Sequence, residues 1–273
     1  MTTNKRNSRK VLKPISELIS LKGKRALITG SAVGIGRAMA YRFAEAGADL
    51  ELVDIDMRGL RMARRELKQS KREINIHKVD ISSKEAIDAL WEDLDGTEPE
   101  ILINNAGVYP FKNFLETDDT FLKKVMDINL QSAFHMCQQM IRRRIKKGGV
   151  IINIGSIEAI MPFAEGLVAY DISKTGVIGL TRGLAKEYGR RGFRINVILP
   201  GGIVTPGTKA VAKEISQFKF SLLKTGYDFK SRLPMNRGGQ PDEVARVALF
   251  LASDLSSYVH GALIAVDGGF LSA

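Results

Sequence analysis

Apolar runs and helix-like stretches alternate along this chain from Arg25 to Asp267, and no other feature constrains its fold so tightly. The runs RALIT (25–29), DLELVD (49–54), INIHKVD (74–80), EILINN (100–105), GVIINIG (149–155), FRINVILP (193–200) and ALIAVD (262–267) read as strands. Between them, 35–48, 57–70, 82–94, 118–147, 169–189 and 241–252 carry helical periodicity. Strands alternating with helices imply a parallel sheet covered on both faces. Parallel strands buried on both sides are apolar without interruption, as these are. The sequence therefore predicts an α/β fold, a seven-stranded parallel sheet doubly wound into one domain over 25–273. No repeat, low-complexity tract or linker divides it, and 205–240 reads as an insertion between a strand and a helix.

Composition refines this outline. Of the 273 residues 44% are hydrophobic, which suits a chain that buries a real core. No apolar run reaches the ~20 residues of a membrane-spanning helix. The formal charge of +11 is unevenly spread. Residues 1–24 hold seven Lys/Arg and one acid, and 205–240 hold seven more against Glu214 and Asp228. The rest of the chain is balanced. The first segment reads as a basic arm whose Val11, Leu12, Ile15, Leu18 and Ile19 form a short apolar face against the body or a neighbouring subunit, its outermost residues mobile. It shows neither the apolar core nor the cleavage site of a secretory signal. Cys137, the sole cysteine, can form no internal disulfide or thiolate metal site and favours a reducing, cytoplasmic location.

Thr29-Gly30-Ser31-Ala32-Val33-Gly34-Ile35-Gly36 follows the first strand and opens the first long helix. Glycines there permit a tight turn and let backbone approach a pyrophosphate lying in the positive field of the helix N-terminus. Asp54 closes the next strand, where a carboxylate can accept hydrogen bonds from an adenosine ribose. Asp56 adds charge that would repel a 2′-phosphate, so NAD is expected ahead of NADP. Arg58 alone argues the other way.

The Gly-x-x-x-Gly-x-Gly spacing, with the motifs that follow it, resembles the short-chain dehydrogenase/reductase family. Asn104-Asn105-Ala106-Gly107 ends the fourth strand, Asn129 lies on the long helix, and Ser156 stands just past the fifth strand. Tyr170-Asp171-Ile172-Ser173-Lys174 opens the next helix, Pro200-Gly201 follows the sixth strand with Thr205 after it, and Val266-Asp267-Gly268-Gly269 ends the seventh. Each motif is weak alone; the ordered set is specific. The resemblance covers about 25–273 and implies a Rossmann-type domain that binds a nicotinamide cofactor. It places Gly30, Ser31, Gly34, Ile35, Gly36, Asp54, Asp80, Ile81, Asn105, Ala106, Gly107, Tyr170, Lys174, Pro200, Gly201, Ile203 and Thr205 around that cofactor. It also implies a homotetramer or homodimer, with the long helix and the Tyr170 helix at one interface.

Tyr170 and Lys174 stand four apart and so share a helix face. A phenol is a poor base near neutrality, and a nearby ammonium and the positive nicotinamide ring would lower its pKa. Tyr170 is then expected to exchange a proton with the substrate oxygen as hydride moves between alcohol and cofactor. Ser156 would hydrogen-bond the same oxygen. By resemblance, Lys174 also binds the nicotinamide ribose and Asn129 holds a proton-relaying water. The Ser156–Tyr170 separation of 14 is one more than is usual in the family, which bears on pocket shape.

The substrate is less defined. Residues 205–240 mix Lys209, Lys213, Lys219, Lys224, Lys230, Arg232 and Arg237 with Phe218, Phe220, Leu222, Leu223, Tyr227 and Phe229, and read as a lid closing over substrate. The rival reading, an anion- or nucleic-acid-binding protein that uses its basic arm, is the weaker one because no nucleic-acid motif accompanies the charge. Arg142, Arg143, Arg144, Lys146, Lys147, Arg190 and Arg191 end helices, where the dipole favours cations. Basic residues near Lys147 and Arg191 also resemble family members that reduce 3-oxoacyl groups on an acidic acyl carrier protein. Glu158 points instead to a sugar or polyol, since a carboxylate there can bind several hydroxyls; the bland alternative is a solvated loop acid, as Glu165 is taken to be. His77, His135 and His260 lack metal-ligand spacing, so no metal is expected. Trp91 reads as core.

Overall fold

The computed structural model describes residues 12–205 and 231–273. The outermost arm, including Val11, and lid residues 206–230 lie outside the described residues. Seven strands form one sheet: β1 (Arg25–Thr29), β2 (Asp49–Asp54), β3 (Ile74–Lys78), β4 (Ile101–Asn104), β5 (Gly149–Ile154), β6 (Phe193–Pro200) and β7 (Leu263–Val266). Their order is β3-β2-β1-β4-β5-β6-β7, with every neighbouring pair parallel. The winding reverses between β1 and β4, and sheets of this kind bind ligands in the crevice at that point, beyond the strands' C-terminal ends.

The helices run α1 (Ile15–Leu18), α2 (Gly34–Glu45), α3 (Met57–Leu67), α4 (Lys84–Asp93), α5 (Asp119–Met126), α6 (Ser132–Arg144), α7 (Val168–Tyr188) and α8 (Pro241–Ala252). Against one face of the sheet, Met39 and Phe43 of α2 and Val244 and Leu251 of α8 pack on Ile28, Ile103 and Ile152. Against the other, Trp91 of α4 and Met136 and Met140 of α6 pack on Leu27, Leu102 and Ile151. Trp91 is fully buried, as its core reading requires. A bidentate fork from Arg42 to Asp242 ties α2 to α8, with Nε at 2.6 Å and Nη2 at 3.0 Å.

Polar side chains also cross the core. Asn104 Nδ2 donates to Asn153 Oδ1 at 2.8 Å, Asn153 Nδ2 to Thr181 Oγ1 at 2.9 Å, and Thr181 Oγ1 to Val177 O at 2.8 Å. All three side chains are buried, so this chain of bonds pins β4, β5 and α7 together beneath the crevice.

Two expectations change. The helix expected over 118–147 is interrupted by a π-type turn, Asp127–Gln131, between α5 and α6. Such single-turn insertions are frequent at functional sites, and this one carries Asn129. The expected apolar face of the arm is only partly packed on the body: Leu12 and Ile15 are 90% and 72% exposed, Leu18 and Ile19 are half-buried, and Leu21 is fully buried. Leu21 N donates to Ala46 O at 2.8 Å, so the packed body begins four residues before Arg25. Among the described residues no helix is long and apolar enough to cross a membrane.

Candidate active site

The ends of β4, β5 and β6 and the first turns of α7 converge on a cavity of about 630 Å³. Its walls include Ile35, Asn105, Gly107, Ser156, Glu158, Tyr170, Lys174, Pro200, Gly201, Ile203 and Thr205, all expected at a site. Ser156 leaves β5 with its hydroxyl accepting from Glu158 N at 3.2 Å and reaching the Tyr170 phenol. One turn along α7, Lys174 Nζ donates to Ile154 O at 2.9 Å and lies 5.8 Å from the Tyr170 ring centroid. Gly107 makes room for this grouping, since a Cβ there would fall 3.1 Å from Asn129 Oδ1 and 3.4 Å from Lys174 Nζ.

The electrostatics differ from the expected lowering of the Tyr170 pKa. Burial holds the phenol above its ordinary value, and Glu158 and Asp171 add to the shift, against the Ser156 hydrogen bond. Burial also brings Lys174 down to about 8, which leaves it charged at neutral pH. The protein alone therefore stores a proton on Tyr170, the form that donates to a ketone. Asn129 is also fuller than expected. Its Oδ1 accepts from Val108 N at 2.8 Å, and its Nδ2 donates to Val108 O and Ser173 Oγ at 3.0 and 3.1 Å. Both amide hydrogens are thereby used.

At the switch point, Asn105 Nδ2 donates to Thr29 O at 2.9 Å and to Gly30 O at 3.1 Å, holding the glycine turn against β4. A Cβ on Gly36 would sit 2.2 Å from Gly30 O and 2.6 Å from Asn105 Nδ2, so only glycine fits. The N-cap of α2 is Val33, which offers no capping side chain, so the first-turn amides stand ready for an anion. Ser31 is buried with its hydroxyl on Val53 O, and Thr205 packs over Gly34. Asp54 is fixed by two backbone donors, Ala32 N to Oδ2 at 3.0 Å and Asp56 N to Oδ1 at 2.9 Å. A carboxylate has about four acceptor positions, which leaves two for ribose hydroxyls. These residues fit a dinucleotide. Asp80 and Ile81 lie apart from the cavity walls; Asp80 Oδ1 accepts from Ser82 N and Oγ at 2.9 and 2.7 Å.

The comparisons with known proteins agree with this geometry. Residues 30–271 match the family described as enoyl-(acyl carrier protein) reductase. The 2-dehydro-3-deoxy-D-gluconate 5-dehydrogenase of Bacillus subtilis (strain 168) is 36% identical over 262 residues, 94% of this chain and 98% of that protein. The chain belongs to the short-chain dehydrogenase/reductase family. The 3-oxoacyl-(acyl-carrier-protein) reductase FabG of Aquifex aeolicus (strain VF5) is also 36% identical, over 92% of this chain and 98% of that one. The crystal structure of L-sorbose reductase from Gluconobacter frateurii, complexed with NADPH and L-sorbose, superposes with a TM-score of 0.85 at 30% identity, covering 94% of this chain and 99% of that one. This short-chain dehydrogenase/reductase is thus an oxidoreductase whose fold binds nicotinamide cofactors.

Other residues of this oxidoreductase emerge only in three dimensions. Tyr109 meets the Tyr170 ring edge-on, centroids 4.6 Å apart and planes at 88°, and contacts the Glu158 carboxyl. Glu158 is 1% exposed, far from a solvated loop acid, whereas Glu165 is exposed as expected. Its Oε2 accepts from Phe163 N at 3.0 Å; its Oε1 has no hydrogen-bond partner. An aromatic two places after Gly107 was the available signal for Tyr109. Of the basic helix ends, Arg144 is buried with Nε on Gly148 O at 2.9 Å, whereas Arg142, Lys146, Arg190 and Arg191 are exposed, as is Lys147, which lies 3.7 Å from Glu98. His77 lies 2.6 Å from Glu51 on the sheet, in keeping with a structural role.

Burial raises Glu158 to about 7, and burial likewise raises Asp171 to about 6. Both pKa values exceed those of an unfolded carboxyl, so the folded chain holds these protons more tightly. Their stabilising contribution is present in acid and is lost as pH rises through 6 to 7. Glu158→Gln should melt near the parent's temperature at pH 5 and several degrees above it at pH 8. The gain is at most about 3 kcal/mol, at ~1.4 kcal/mol per pKa unit. Equal midpoints at pH 8 would mean that Glu158 is not buried as a carboxylate.

Proposed function

We propose that this enzyme interconverts a secondary alcohol and a ketone with NAD(H), using Tyr170 as proton donor and acceptor. The observation carrying this reading is the convergence of Ser156, Tyr170 and Lys174 on one cavity beside the glycine turn. A bound nicotinamide would supply or accept the hydride. Tyr170, held protonated by burial, gives its proton to the ketone oxygen during reduction and retrieves it during oxidation. Ser156 steadies the same oxygen. Lys174 places positive charge behind the phenol and beside the ribose position, and Asn129 fastens the Val108 loop to α7 through Ser173.

Asp54 supports NAD over NADP. Its two remaining acceptor positions suit ribose hydroxyls, and a 2′-phosphate would meet the negative charges of Asp54 and Asp56. Arg58 is exposed on the first turn of α3 and offers a phosphate no buried pairing. Initial rates on a panel of polyols, sugars and 3-oxoacyl thioesters, with each cofactor at equal concentration, test both points. We expect kcat/KM at least about tenfold higher with NADH than NADPH, a ~1.4 kcal/mol preference, and Asp54→Ala should erase it. Faster turnover with NADPH would overturn the assignment.

A homotetramer is part of the same reading. An open groove on the outer faces of α6 and α7, lined by Phe134, Ile141, Ile145, Leu180 and Leu184, is suited to burial against a second copy. The 3-oxoacyl thioester and polyol readings both fit this mechanism, and Glu158 separates them.

A further inference from the structure

Building on the alcohol–ketone reading, we infer that Glu158, braced by Tyr109, forms a hydroxyl-binding subsite next to Tyr170, and that the substrate is a neutral polyol or ketose bearing a hydroxyl on the carbon beside the reacting one. Glu158 lines the same wall as Ser156, two residues earlier, and is 1% exposed. One carboxylate oxygen is satisfied by Phe163 N, while the other, Oε1, has no partner. Burial holds Glu158 at about 7, so above that pH the group is a carboxylate, which can only accept hydrogen bonds. Leaving it buried and unpaired costs on the order of a tenfold to hundredfold factor in an equilibrium, so the cavity calls for an occupant that donates. Tyr109 bridges the two groups: its ring lies edge-on to Tyr170 and its side chain contacts Glu158. The subsite therefore adjoins the position of the carbinol held by Tyr170, and a hydroxyl on the neighbouring carbon is the donor we place there.

The same geometry disfavours two rivals. The methylenes flanking the ketone of a 3-oxoacyl thioester carry no donor, and sites built to bind a hydroxyl reject analogues lacking it by up to about 10⁴-fold or more. A sugar acid would bring its own carboxylate toward Glu158 and Asp171, which already oppose each other's charge.

The test compares the full-length parent, Glu158→Gln and Glu158→Leu with NAD on 2,3-butanediol, 2-butanol, 3-hydroxybutanoate, 3-hydroxybutanoyl-N-acetylcysteamine and four- to six-carbon alditols. Cooperative melting and NADH fluorescence titration establish that each variant is folded. For the parent we expect kcat/KM on the diol and the best alditol about 100-fold above that on 2-butanol. The diol-to-monoalcohol ratio should fall about tenfold in Glu158→Gln and about 100-fold in Glu158→Leu, mostly through KM. Preference of the parent for the thioester or the hydroxy acid, or an unchanged ratio in folded Glu158→Leu, would overturn the inference alone. Turnover of nothing in the panel would overturn the alcohol–ketone reading and this inference with it.

Discussion

Tyr170→Phe leaves an enzyme that still binds NADH and turns over almost nothing. The substitution removes one oxygen and keeps the ring, so the edge-on contact with Tyr109 survives. It removes the proton that burial keeps on the phenol and the partner of the Ser156 hydroxyl. General acid–base catalysis contributes about 10²- to 10⁴-fold, and no neighbouring group can replace it. Lys174 donates to Ile154 O, and Ser156 accepts from Glu158 N. We expect kcat to fall about 10³-fold, with the NADH dissociation constant within about threefold of the parent's. Stopped-flow reduction and fluorescence titration on one preparation give both values. Activity within tenfold of the parent would remove Tyr170 from the mechanism.

Gly36→Ala should cost both stability and cofactor. The added methyl meets Gly30 O at 2.2 Å and Asn105 Nδ2 at 2.6 Å, and the first of these is backbone. Relief requires α2 to withdraw from the turn or Asn105 to release Thr29 O and Gly30 O. Overpacking of this kind typically costs about 1–3 kcal/mol, a drop of a few degrees in melting temperature for a chain of this length. The same displacement moves the α2 amides that would receive the pyrophosphate. We expect NADH binding at least about 100-fold weaker, equivalent to ~2.8 kcal/mol. Normal binding with a normal melting temperature would show that the turn does not close around the dinucleotide as described.

Much of this was legible in the sequence because the physics is local. Apolar runs such as RALIT and FRINVILP match β1 and β6 residue for residue, since a strand buried on both faces needs no partner's identity to be recognised. Tyr170 and Lys174 share a face by helical spacing alone. The π-type turn was hidden: Asp127–Gln131 reads DINLQ, with no glycine or proline to mark an insertion. Glu158 was ambiguous for another reason. Its burial depends on Tyr109 and Phe163, which reach it through folding, and a loop acid looks the same in sequence whether solvated or enclosed. The raised Tyr170 value also required burial to be known, because desolvation and nearby charge pull a phenol in opposite directions.

The Asn104–Asn153–Thr181 chain has a consequence for how this site can change over generations. Each bond joins two buried side chains, so replacing one member strands a polar group of its partner in the core at about 1–3 kcal/mol. An apolar substitute becomes tolerable only when its partners change as well. Single-step drift is therefore blocked beneath the crevice, whereas Glu158 at the cavity wall, whose Oε1 has no partner, can be exchanged alone. Descendants of this enzyme can acquire new substrates far more readily than a new catalytic floor.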